Sequence, residues 1–141
     1  MTTIQNTLPS TVIPCLRYRD APAAIRWLCA TLGFEEHLVV PLDDGKIAHA
    51  QLVLGQGMIM LGSIKDSDYD QHLVQPDQIN GKATQCNYLV INDIEALYQK
   101  VLQTGTEIVS KLAKQEHGGE CFSCRDPEGH IWSLGDYDPW A

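Results

Sequence analysis

The sequence predicts an α+β fold in which one pattern is used twice: strand, helix, three strands, then the same order again. Three observations carry this prediction. Residues 12–20 and 85–93 each read as a strand closed by an aspartate. After each aspartate comes an apolar stripe at helical spacing that a glycine stops. Three strand-like runs separated by turns then follow each stripe.

The elements can be justified in order. Val-Ile-Pro-Cys-Leu-Arg-Tyr-Arg-Asp20 is the first strand and its helix cap. Asp20 accepts from the first free helical amides, and Pro22 suits a first turn. Ile25, Leu28, Cys29 and Leu32 form the apolar stripe, and Gly33 ends it. Runs at Phe34–Leu42, Lys46–Leu54 and Met58–Ile64 follow, turned by Asp44-Gly45 and Gly55-Gln56-Gly57. Residues 66–82, polar with Pro76 and Gly81, read as a long linker or lid. The second unit repeats the first: a strand closed by Asp93, a stripe of Ile94, Leu97, Tyr98, Val101 and Leu102, then Gly105. Its three strands are expected at Glu107–Leu112, Glu120–Arg125 and His130–Gly135, separated by Gly118-Gly119 and by the Asp126-Pro127-Glu128-Gly129 turn. The expected organisation is one domain over 1–141, with module 1 at 10–65 and module 2 at 83–138. One sheet face of each module is covered by its helix. Pairing two modules turns the bare faces toward each other around a cavity.

Composition narrows the function. With 141 residues the chain buries about two thirds of its unfolded surface, so it needs neither metal nor disulfide to fold. A net charge of −8 argues against nucleic acid, whose phosphates want a basic face. No apolar run reaches the ~18 residues of a membrane span. Residues 1–10 are polar and lack the apolar core of a signal peptide. Together with five cysteines, an odd number, this predicts a reduced, cytoplasmic protein. Cys121-x-x-Cys124 falls in a strand, where residues three apart point to opposite faces, so it reads as two unrelated thiols.

Three motifs carry a resemblance to a known family: Leu-Arg-Tyr-Arg-Asp-Ala-Pro with the helix ending in Leu32-Gly33-Phe34; Leu-Val-Ile-Asn-Asp-Ile-Glu-Ala-Leu; and Arg-Asp-Pro-Glu-Gly-His-Ile-Trp-Ser. Over residues 10–138 the chain resembles the vicinal oxygen chelate superfamily, the glyoxalase/bleomycin-resistance/extradiol-dioxygenase group. The resemblance implies paired βαβββ modules, a homodimer with cavities at or near the subunit contact, and a divalent metal held by the first and last strands of each module.

Counting from the matching motifs places the family's ligand positions at Ile13, Met60, Cys86 and Ser133. Such metals want His, Glu or Gln here, as Lewis acids acting on a carbonyl or enediolate oxygen. An isoleucine, a thioether, a lone thiol and a hydroxyl do not meet that need. We therefore expect no metal and no cofactor. By strand alternation the same face carries Ile13, Cys15 and Arg17, then Met58 and Met60, then Cys86 and Tyr88, then Ile131, Ser133 and Gly135. Glu120 and Phe122 share one face of their strand and are added to this lining. The lining suits a hydrophobic or aromatic small molecule.

Among the five histidines, His49 is the best polar candidate, on one face with Gln51, as hydrogen-bonding group or general base. The sequence thus favours a metal-free dimer that sequesters a hydrophobic or cationic compound. The alternatives are a metal-dependent glyoxalase-type lyase or isomerase with non-standard ligands, and a metal-free enzyme with His49 as base.

Overall fold

The computed structural model describes residues 7–141. The reading of residues 1–10 as no signal peptide falls mostly outside them. The element order is β1 (Cys15–Tyr18), α1 (Ala21–Trp27), β2 (Glu35–Pro41), β3 (Ile47–Leu54), β4 (Gly57–Ser63), β5 (Asn87–Val90), α2 (Ile94–Gln103), β6 (Ile108–Lys114), β7 (Glu120–Arg125) and β8 (Ile131–Gly135). The strands form two four-stranded sheets, ordered β1-β4-β3-β2 and β5-β8-β7-β6. In each, the first strand lies parallel beside the last and the other pairs are antiparallel. The fold is α+β, with the βαβββ order in both halves.

The two helix starts are built alike. Asp20 Oδ1 accepts from Ala23 N, and Asp93 Oδ1 from Ala96 N, each at 3.1 Å. The first helix departs from expectation at its end. After Trp27 the chain widens into a π-type turn, Leu28–Leu32, before Gly33 caps it at φ 92°. The stripe alone could not show this, because π and α turns bury nearly the same positions over so short a run. β1 and β5 are shorter than predicted, so Ile13 and Cys86 precede their strands.

One core serves both modules. Leu16, Tyr18, Leu28, Leu52 and Leu61 from the first are buried with Val101, Phe122, Trp132 and Leu134 from the second. Phe34 and Trp132 meet edge to face, with ring centroids 6.0 Å apart. The Asp126–Gly129 turn fastens the units together. Asp126 Oδ1 accepts from Glu128 N and His130 N, both at 3.0 Å, which shapes the turn. Its Oδ2 accepts from Tyr18 Oη at 2.6 Å and Trp132 Nε1 at 3.1 Å. The Glu128 carboxylate accepts from Arg19 N at 2.6 Å and Asp20 N at 2.8 Å. The acidic turn of module 2 therefore grips the strand-to-helix junction of module 1 with charge-assisted bonds.

The segment after β4 carries two single 3₁₀ turns, Asp70–His72 and Pro76–Ile79. It is tied down at Asp70, whose carboxylate accepts from Lys65 N (2.9 Å), Ser67 Oγ (3.1 Å) and Arg17 Nε (3.3 Å).

Candidate functional site

The helices cover one face of each sheet, and the register shows what the other face presents. In module 1, Cys15 pairs with Met60, Met60 with Gln51, and Gln51 with Leu38. These four side chains form one row across all four strands, since directly opposed residues share a face. In module 2, Tyr88 pairs with Ser133, Ser133 with Ser123, and Ser123 with Ser110. That row is a phenol followed by three hydroxyls. Ser123 Oγ and Ser133 Oγ are hydrogen-bonded at 2.7 Å. Leu38, Val40, Tyr88 and Val90 on these faces remain 39–45% exposed, an apolar surface left open by the described residues.

The structure thus brings Cys15, Gln51 and Met60 together, with His49 two residues from Gln51 on β3 and Met58 two from Met60 on β4. Tyr88 and Ser133 are brought together in the second sheet. Ser123, Ser110 and Leu38 belong to the same faces and were missed. They could have been found only from strand register, which a single sequence does not fix where bulges intervene. Bulges do interrupt β2–β3 and β6–β7.

Three assignments are corrected. Phe122 is buried under α2, its ring 4.9 Å from that of Tyr98, so it belongs to the core. Glu120 shares the parity of Phe122 and pairs with Lys114, so it does not join the Ser133 row. The face of β7 that does join it holds Cys121 and Ser123, opposite Gly135 and Ser133. Arg17 has the expected parity, but its guanidinium engages Asp70 of the linker and stands over the Tyr69 ring at 6.0 Å. Cys121 and Cys124 point to opposite faces, the latter fully buried.

The electrostatics of module 2 are those of a partly dry surface. Tyr88 donates to the Tyr137 carbonyl at 2.7 Å. Burial raises its pKa, with smaller contributions from the Cys121 thiol once it ionises and from the Asp136 carboxylate. Burial likewise raises Cys121. Both stay protonated near neutrality, so neither offers an anionic ligand.

The family's metal positions can be tested on their donors. Ile13 has none, Met60 offers a soft thioether, and Cys86 is an exposed thiol preceding β5. Ser133 Oγ is engaged with Ser123. This set does not fit a divalent cation that wants imidazole and carboxylate. Elsewhere among the described residues no three His, Cys, Asp or Glu side chains converge. A groove of about 750 Å³ on the helix side, bordered by Trp27 and the 127–129 turn, has its arginines already paired, Arg19 with Asp77 and Arg125 with Glu107.

Two βαβββ units, each with its first and last strands parallel and one sheet face bare, define the vicinal oxygen chelate class of fold. The family model for the Glyoxalase/Bleomycin resistance protein/Dioxygenase superfamily matches residues 8–134, and the chain belongs to that superfamily. The uncharacterized protein Mb0911c of Mycobacterium bovis is 30% identical over 122 residues, 86% of this chain and 80% of that one. TioX from Micromonospora sp. ML1 superposes with a TM-score of 0.66 at 26% identity, covering 87% of this chain and 94% of TioX. A glyoxalase I mutant from Zea mays gives a TM-score of 0.67 at 15% identity, covering 87% of this chain and 43% of that one, a likeness of fold alone. No helix among the described residues is long and apolar enough to cross a membrane.

Proposed function

We propose that this chain is a small-molecule-binding protein in which the bare sheet faces of two copies enclose a hydrophobic compound, with no metal at the family's ligand positions. The observation that carries this reading is the pair of rows Cys15-Met60-Gln51-Leu38 and Tyr88-Ser133-Ser123-Ser110. One row is apolar and polarizable, the other hydroxyl-rich. Together they offer a greasy wall and a few hydrogen-bonding groups, the make-up of a small-molecule pocket. Family relatives that take a metal need several imidazole and carboxylate donors, and these rows carry neither. The net charge of −8 favours a cationic compound over an anionic one on these faces.

The test combines three measurements on the full chain. Light scattering should give a dimer. Metal analysis of protein purified without chelator should give far less than one ion per chain. A thermal-shift screen should find aromatic or cationic compounds that raise the melting temperature, because only the folded form holds them. Stoichiometric nickel or zinc would overturn the metal-free reading, and a monomer that binds nothing would overturn the enclosure.

A second reading, a metal-free enzyme, is favoured by one observation. The His49 ring makes no hydrogen bond among the described residues and shares the face of Gln51, so it is available as a base. His49→Ala separates the two readings. A sequestering protein loses affinity modestly, whereas an enzyme loses its rate.

A further inference from the structure

Tyr88 does not stand upright on its strand. A Cβ built on Gly135 would meet its Oη at 2.7 Å and its Cε1 at 3.1 Å, so the phenol reclines on the bare backbone of β8. Its hydroxyl donates to the Tyr137 carbonyl at 2.7 Å, which pins the far end of the ring. Tyr88 nevertheless stays 39% exposed, and no other ring among the described residues stacks on it. A ring already held in place loses little freedom when a second ring stacks on it.

Ser133 is the direct neighbour of Tyr88 across the β5–β8 pair, about 4.8 Å away. Its Oγ lies 2.7 Å from Ser123 Oγ, and neither hydroxyl has another hydrogen-bond partner among the described residues. Two paired hydroxyls spend only one of their two protons on each other. Ser123 is buried, whereas Ser133 is half-buried on the open face. With Ser133 as donor, the Ser123 proton would be buried without an acceptor, the costlier arrangement. Ser123 therefore donates, and the Ser133 proton is left for the open side. A hydroxyl that already accepts a bond is polarised into a stronger donor.

We infer that the open face of module 2 takes a flat aromatic compound carrying a ring carbonyl, stacked on Tyr88 with the carbonyl oxygen accepting from Ser133 Oγ. The spacing of the two side chains matches a ring and the carbonyl on its fused neighbour. The net charge of −8 favours an uncharged acceptor over a carboxylate or phosphate. This inference rests on the reading of the bare faces as a small-molecule pocket and names the ligand chemistry of one of its walls.

The test is calorimetric titration of the full chain with chromone, and with chromane as the analogue that keeps the aromatic ring and lacks the carbonyl. Ser133→Ala should weaken chromone about tenfold, the effect of one lost hydrogen bond, and chromane by less than about twofold. Because Ser133→Ala strands the buried Ser123 hydroxyl, the double variant Ser123→Ala with Ser133→Ala is measured beside it. It removes both partners, should fold with nearly the parent stability, and should show the same selective loss. Tyr88→Leu should weaken both compounds about fivefold by removing the stacking surface. Equal losses for the two compounds, or no loss for chromone in the double variant, would overturn the inference and leave the pocket reading standing. So would binding of both compounds untouched by Tyr88→Leu. No heat with either compound, while the thermal-shift screen finds other ligands, overturns the inference alone; no ligand by either method takes the pocket reading with it.

Discussion

The Tyr18 hydroxyl donates to Asp126 Oδ2 at 2.6 Å, across 108 residues of chain. Trp132 Nε1 donates to the same oxygen, and two backbone amides of the turn donate to the other. Asp126→Asn leaves one carbonyl oxygen for four donors. Hydrogen bonds to an ionised acceptor are worth about 1.5–3 kcal/mol each. We expect Asp126→Asn to cost about 3 kcal/mol, read as a urea midpoint lower by about 1 to 2 M. Tyr18→Phe keeps the ring and leaves Asp126 its other three donors, so it should cost about half as much.

The same pair sets an alkaline limit. Burial first, and the Asp126 charge second, hold the Tyr18 phenol well above its ordinary 10.0. A raised folded pKa means the unfolded chain gives up the proton first. The contribution to stability is complete below about pH 10 and falls as pH rises beyond it. Stability measured from pH 8 to 11 should therefore drop at the top of the range, and Tyr18→Phe should flatten that drop. An unchanged slope in the variant would show that Tyr18 is not the group responsible.

Gly135 is set by what lies over it. A Cβ there would stand 2.7 Å from Tyr88 Oη and 2.8 Å from the Glu120 carbonyl oxygen. The phenol can swing away, but the backbone oxygen cannot. Gly135→Ala should cost about 1–3 kcal/mol by overpacking, measured by thermal unfolding. Adding Tyr88→Phe should relieve only part of it.

The thiols should separate cleanly by reagent. Cys15 and Cys86 are exposed, whereas Cys124 is buried and its thiol is pushed up to about 12 by burial. At pH 8 only about one Cys124 in ten thousand is a thiolate, and a reagent cannot reach it. Titration with a disulfide reagent should therefore label Cys15 and Cys86 quickly in the folded protein and Cys124 only after denaturation. Rapid labelling of Cys124 would mean that the β7–β8 core opens far more readily than its packing implies.

The fold was legible because its signals are local. The aspartate caps at 20 and 93, the glycine stops at 33 and 105, and the Asp126–Gly129 turn each act within a few residues of themselves. The turn proved more than punctuation, since its carboxylates hold the other module, and only the folded chain shows that. The site was half legible. Parity along one strand is a local property and placed Cys15, Met60, Gln51, Tyr88 and Ser133 on the bare faces. Parity between strands passes through turns, and there Phe122 and Glu120 were assigned one residue out of phase. Arg17 was read from its strand alone, whereas the partner that orients it lies 53 residues away.

That partner, Asp70, holds the start of the 65–82 segment, whose far end is held by Arg19 on Asp77 and Arg125 on the Gly81 carbonyl. Its carboxylate accepts from Lys65 N, Ser67 Oγ and Arg17 Nε, and the bond from the Lys65 amide does most to lower its pKa. A lowered folded pKa keeps these bonds through neutral pH and down past the usual carboxylate value, with loss only as pH falls through the depressed one. Asp70→Ala removes all three acceptor contacts at once while leaving both sheets and both helices untouched. We expect it to release the start of the segment without unfolding the domain. Trypsin should then cut after Lys65 many times faster than in the parent chain, with circular dichroism nearly unchanged at neutral pH. If cleavage is no faster, Asp70 is not the anchor. If the circular dichroism signal collapses together with resistance, the segment is part of the core rather than a strap laid over it.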